Sequence, residues 1–88
     1  MIKSFADKGT ELFFRTERSG KISADILRRL ALIDSAKALN DLRMPPWNSL
    51  EALSGNRAGQ HSIRINNQWR VCFRWDDGAY YVEITDYH

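Results

Sequence analysis

Long apolar runs are missing from this 88-residue chain. No stretch approaches the roughly 18 residues that a membrane span requires, so no membrane partner is expected. Cysteine is scarce: Cys72 stands alone, which excludes an internal disulfide and any CxxC metal pair. The opening MIKSFADKG holds no apolar stretch, so no signal peptide is expected and the chain reads as cytoplasmic. Histidine occurs only as His61 and His88, and a lone His without nearby partner ligands does not suggest a metal. No repeat, low-complexity tract or interdomain linker is present, so residues 1–88 read as one domain.

The chain does have aromatics: three Trp, four Phe and three Tyr, within an apolar fraction of 43%. That suffices for one modest core and argues against disorder. The formal net charge is only +2, yet nine of the thirteen basic residues are Arg. Arg contacts phosphate bidentately and stacks on bases better than Lys does. The composition therefore admits nucleic-acid binding without requiring it.

Ile2 to Phe5 reads as a short N-terminal strand. Asp7 and Thr10 are capping residues ahead of Glu11-Leu12-Phe13-Phe14, so a short helix is expected there, stopping near Ser19-Gly20. Ser23 caps a second helix, roughly Ser23 to Leu39. Its apolar positions Ile26, Leu30 and Ile33 follow helical spacing, and Arg28, Arg29, Asp34 and Lys37 are expected mostly toward solvent. Pro45-Pro46 ends helical structure. The segment Asn40 to Gln60 is a connector holding Trp47, Leu50 and Leu53.

The last third alternates with period two. His61 to Ile65, Trp69 to Trp75 and Tyr80 to Ile84 read as strands, joined at Asn66-Asn67 and Asp76-Asp77-Gly78. The second of these turns is explained by hairpin chemistry rather than by a metal loop. Trp69, Val71, Phe73 and Trp75 share one face, and Arg70, Cys72 and Arg74 the other. The layout is α+β: a short N-terminal strand and a C-terminal three-stranded antiparallel meander packed against an N-terminal helical hairpin. The helices are expected to cover the Ile63, Val71, Phe73 and Val82 face. Arg64, Arg70 and Arg74 are then left on the other.

Like charges on neighbouring strands repel, and two readings fit that arginine face. It is either a solvated surface with Glu83, Asp76 and Asp77 as ion-pair partners, or a surface that meets an anion. The ending Asp86-Tyr87-His88 also admits two readings: a frayed or merely packed tail, or a phenol and an imidazole kept for proton transfer. RNA cleavage needs a base for the 2′-hydroxyl, an acid for the 5′-oxygen and cations for the phosphorane. An arginine face with a Tyr-His edge has such groups.

Three motifs together resemble one family. The opening Met1 to Phe5 with Asp7-Lys8-Gly9, the segment LSGNRAGQHSIRINNQWRVCFRW from Leu53 to Trp75, and the ending Asp86-Tyr87-His88 are similar to HigB-type toxins of the RelE/ParE superfamily, also called plasmid-maintenance killer proteins. The resemblance implies a RelE-like fold and a type II toxin that cleaves mRNA in the ribosomal A site without metal or organic cofactor. It implies a HigA-type helix-turn-helix antitoxin as partner, with operator DNA bound only through that antitoxin. It implies that Arg70 stabilises the phosphorane, that Asp86, Tyr87 and His88 form the terminal catalytic cluster, and that Arg57 and Arg64 hold substrate. Arg74 and Glu51 complete the expected substrate-binding set. Two positions depart from some similar toxins, which carry His at the place of Glu51 and Lys at that of Ser54. Either Glu51 takes the base's part or catalysis is slow; other members share the Leu-Ser-Gly form. A ParE-like gyrase inhibitor and a non-catalytic RNA- or protein-binding module are the alternatives.

Overall fold

The computed structural model describes residues 1–16 and 21–86, leaving aside the side chains of residues 13, 16 and 21–23. Helix α1 spans Lys8–Thr16. Asp7 starts it: its carboxylate accepts from the Thr10 backbone N–H at 2.6 Å and from the Thr10 hydroxyl at 3.1 Å. That satisfies an orphan donor and sets negative charge on the positive end of the helix. The stop expected at Ser19-Gly20 lies outside the described residues.

Helix α2 spans Lys21–Ser35, so Ser23 lies within its first turn rather than capping it. Ile26, Leu30 and Ile33 are buried along one stripe, as the spacing requires. The helix ends four residues before Leu39, and Asp41 supplies the reason. Its carboxylate accepts from the backbone N–H groups of Lys37 and Ala38 at 3.0 and 3.1 Å, drawing both donors away from the helical ladder. A tight turn over Leu39–Arg43 follows and delivers Leu42 to the core. Pro45-Pro46 ends that turn, as expected, but Pro46 then opens another over Pro46–Asn48, where a proline is favoured.

The sheet has four antiparallel strands in the order β1-β2-β3-β4. These are β1 (Glu51–Ala52), β2 (His61–Arg64), β3 (Trp69–Trp75) and β4 (Ala79–Asp86). The meander stands where the alternation set it. The fourth strand is β1, inside the segment read as a connector. The N-terminal stretch makes two isolated parallel bridges instead, Ile2 with Ala79 and Phe5 with Val82. It still covers the free edge of β4, through Lys3 N–H to Ala79 C=O at 2.7 Å and Val82 N–H to Ser4 C=O at 3.1 Å. An uncovered edge would template pairing with another chain. Gly78, at φ +147°, permits this approach: a Cβ there would lie 2.8 Å from the Lys3 side chain and 3.0 Å from the Met1 carbonyl.

The core forms between α2 and one face of the sheet. Leu30, Ile33, Ile63, Val71, Phe73 and Val82 are all fully buried there. Phe14 of α1 stands 5.8 Å from Phe5, ring centre to ring centre, and both pack on this core from the side. Phe73→Ala is expected to cost about 3–5 kcal/mol, because the site is fully enclosed and a cavity would remain. Denaturant unfolding checks this; a loss under about 1 kcal/mol would contradict the packing described.

Candidate active site

The register sorts the other sheet face into rows. Glu51 pairs with Ser62, Ser62 with Cys72 and Cys72 with Glu83. The next row is Arg64, Arg70 and Thr85. Paired residues on neighbouring strands share a face, so each row is one line of side chains across the sheet.

This face is not a bare arginine surface. Ser62 and Cys72 are only 2% and 1% exposed. The segment after β1 accounts for their burial by folding back over the row as a tight turn, Gly55–Arg57. Backbone bonds close the segment: Arg57 N–H to Ser54 C=O at 3.2 Å, Gln60 N–H to Arg57 C=O at 3.0 Å and Leu53 N–H to Gln60 C=O at 2.9 Å. Arg57 then crosses the sheet and donates to Glu83 at 3.1 Å and to Gln60 at 3.0 Å. Gly59, at φ +91°, rests on Arg74: a Cβ there would fall 2.7 Å from the guanidinium.

Between this segment and β3 lies an open, mostly polar hollow of about 540 Å³. Arg70 lines it from β3; Glu51, Ser54, Asn56 and Arg57 line it from the segment opposite. The Arg70 Nε–H points to the Thr85 hydroxyl at 3.4 Å, and that hydroxyl also meets the Cys72 sulfur at 3.4 Å. Two guanidinium groups and one carboxylate thus border a space large enough for a phosphodiester.

Of the residues singled out in the sequence, the hollow brings together Arg70, Arg57 and Glu51. Three others go elsewhere. Arg64 is the cross-strand partner of Arg70, and its guanidinium turns to the hairpin, donating to the Asn66 carbonyl at 3.1 Å and to the Asn67 side chain. That bend removes the like-charge contact the pairing would otherwise impose. Arg74 is exposed beside Gly59. Asp86 pairs with Trp69 at the end of β4, so alternation assigns it to the face opposite Arg70. Tyr87 and His88 lie outside the described residues. His61 belongs to the core side, its ring 6.4 Å from Phe73 and nearly parallel to it. Arg29 is half-buried rather than fully in solvent: its side chain donates to the Arg64 and Ile65 carbonyls at 3.1 and 3.5 Å, securing the end of β2.

Sequence reasoning missed Asn56, Gln60 and Thr85. Asn56 and Gln60 lie in irregular backbone, where no period marks a face. Among the described residues, no group of three His, Cys, Asp or Glu side chains is placed to hold a metal. No described helix is long and apolar enough to cross a membrane.

The architecture and the hollow together define a small RelE-like α+β protein with an open, arginine-lined cleft. Its fold is similar to that seen in the YoeB–YefM complex from Staphylococcus aureus, with a TM-score of 0.64 and 20% identity, covering all of this chain and 98% of the other. In sequence the chain is 38% identical to Toxin HigB-1 of Vibrio cholerae serotype O1, covering all of this chain and 98% of the relative. It is also 38% identical to Endoribonuclease HigB of Proteus vulgaris, over the whole of both chains. The family model for HigB-like toxins, the RelE-like toxin of the type II toxin–antitoxin system HigB, matches residues 3–88. The chain belongs to the HigB-like toxin family. As the toxin of such a system it has an antitoxin for a partner.

Proposed function

We propose that this toxin is a ribosome-dependent endoribonuclease that cuts mRNA in the A site from the Arg70 hollow. The observation that carries the reading is that Arg57, Arg70 and Glu51 all line one open hollow large enough for a phosphodiester. A relative named Endoribonuclease HigB, matching end to end, supports it. In this mechanism the 2′-oxygen attacks the adjacent phosphorus and the P–O5′ bond breaks. A 2′,3′-cyclic phosphate and a 5′-hydroxyl result, so no water enters the bond-making step.

Each group has a task in that step. Glu51 takes the 2′-hydroxyl proton, and Arg70 stabilises the charge that gathers on the phosphorane. Arg57 holds the phosphate on the opposite wall. Tyr87 and His88 supply the proton that the 5′-oxygen needs, and Asp86, on the other face of β4 from Arg70, acts only by leading the chain into them. Arg64 and Arg74, outside the hollow, steer the RNA backbone by charge. The antitoxin is of the HigA helix-turn-helix type and alone contacts operator DNA. The toxin acts in the cytoplasm, on ribosomes and mRNA.

The test is cleavage of one mRNA, naked or held by stalled ribosomes. Discrete cuts at the A-site codon, absent from naked RNA, are expected. Loss of plasmid supercoiling with no cut in either RNA would overturn the reading. Glu51→Gln is expected to lower kcat about 10²–10⁴-fold with RNA binding retained, the usual range for a lost general base. Cleavage at the parent rate would remove Glu51 from the proton transfer.

A further inference from the structure

Two ion pairs, Arg15–Glu11 and Arg28–Asp25, lie within single helical turns. Another, Arg57–Glu83, joins the Gly55–Arg57 turn to β4 across 26 residues of sequence. Both side chains are about one-third exposed, at 32% and 34%. A pair this wet adds little to stability, so its placement calls for another explanation.

Glu83 stands at one end of the row that Glu51 begins, with Ser62 and Cys72 buried between them. Arg57 leans over that row from above. Its Nη1 nitrogen meets the Glu83 carboxylate at 3.1 Å and the Gln60 amide oxygen at 3.0 Å. Glu83 thereby ties down the turn that forms the wall of the hollow opposite Arg70. A long Arg side chain left alone would sample many rotamers; held at one nitrogen by two acceptors, it offers its other donors from a set position.

We infer that Glu83 is a positioning residue: it sets where Arg57 meets the scissile phosphate, and it acts only through Arg57. This inference rests on the nuclease reading of the hollow. Removing Glu83 leaves the positive charge of Arg57 in place but lets it wander. Attraction for RNA then survives or rises, while alignment in the transition state is lost. Misalignment of this kind lowers kcat rather than raising KM.

The test is a double-mutant cycle on ribosome-bound mRNA with Glu83→Ala, Arg57→Ala and the pair together, followed by kcat, KM and thermal melting. Glu83→Ala is expected to lower kcat about tenfold with KM unchanged or lower and the melting temperature within a few degrees. In the Arg57→Ala background it is expected to change kcat by less than about twofold, the signature of a residue that works through another. Glu83→Gln keeps an oxygen acceptor for Arg57 and is expected to recover most of the rate. It also serves if Glu83→Ala fails to fold. A kcat within about twofold of the parent for Glu83→Ala, or equal losses in both backgrounds, would overturn the inference. A parent protein that cuts no RNA would instead refute the nuclease reading. In that event the NMR signals of the Arg57 guanidinium still decide the tether. They are expected to shift and sharpen toward those of free arginine in Glu83→Ala, and unchanged signals would refute it.

Discussion

Replacing Arg70 with alanine is expected to abolish growth inhibition, with cleavage down about 10²–10³-fold, the range for removing one preorganised donor from a developing oxyanion. The fold is expected to survive. Arg70 belongs to the row of Arg64 and Thr85, on the face away from Val71 and Phe73, so its loss opens no cavity in the core. The Arg64 guanidinium is already turned away to its own hairpin, so no like-charge contact changes and the melting temperature should stay within a few degrees of the parent's. Arg70→Lys is expected to restore only part of the rate, because an ammonium lacks the planar fork that meets two phosphate oxygens at once. Growth after induction and co-purification with the antitoxin check the two halves of this expectation. Full toxicity in Arg70→Ala would remove the hollow from the mechanism.

Deleting Tyr87 and His88 is expected to be almost as damaging. Loss of a group that transfers a proton to the departing 5′-oxygen typically costs about 10²–10⁴-fold. Asp86 closes the β4 ladder opposite Trp69, and among the described residues every buried core side chain precedes it. The truncated chain should therefore melt close to the parent temperature while ceasing to cut. Rates and melting curves measured on the same preparation separate the two effects. A truncated protein that cleaves at the parent rate would show that the tail takes no part.

The meander was legible because one sheet face is fully buried. Ile63, Val71, Phe73 and Val82 could not alternate otherwise without exposing core. Helix α2 was legible for the same reason through Leu30 and Ile33. Its end was not, because Asp41 acts from the following turn on Lys37 and Ala38. A carboxylate several residues downstream leaves no trace in hydrophobic periodicity. Strand β1 was missed because two exposed residues make no period at all.

The partner of Arg70 was within reach and went unread. Trp75 pairs with Ala79 and Arg74 with Tyr80, yet Cys72 pairs with Glu83 and Arg70 with Thr85. One extra residue enters β4 between these pairs, where Tyr81 takes φ +54°. Pairing counted straight back from the Asp76–Gly78 turn sets Arg70 against Ile84. That clashes with the alternation that turns Ile84 inward and Arg70 outward. A phase clash of this kind is the sequence signature of a bulge, and resolving it would have paired Arg70 with Thr85.

The arginine face was read as one surface, but its members part company. Arg70 and Arg57 reach the hollow, while Arg64 is taken by its own turn and Arg74 lies beside Gly59. Alternation assigns a face and says nothing of where a long side chain ends. The turn that divides the face belongs to the irregular segment after β1, whose Arg57 meets Glu83 across 26 residues. No local pattern encodes that contact.

Mapping of RNA 5′ ends on a translated message, shortly after inducing the parent toxin or Arg70→Ala, bears most directly on the chemistry assigned to this cleft. New ends at discrete positions inside codons, present with the parent and missing with Arg70→Ala, are the expected result. Identical ends from both proteins, or none from the parent despite growth arrest, would contradict it.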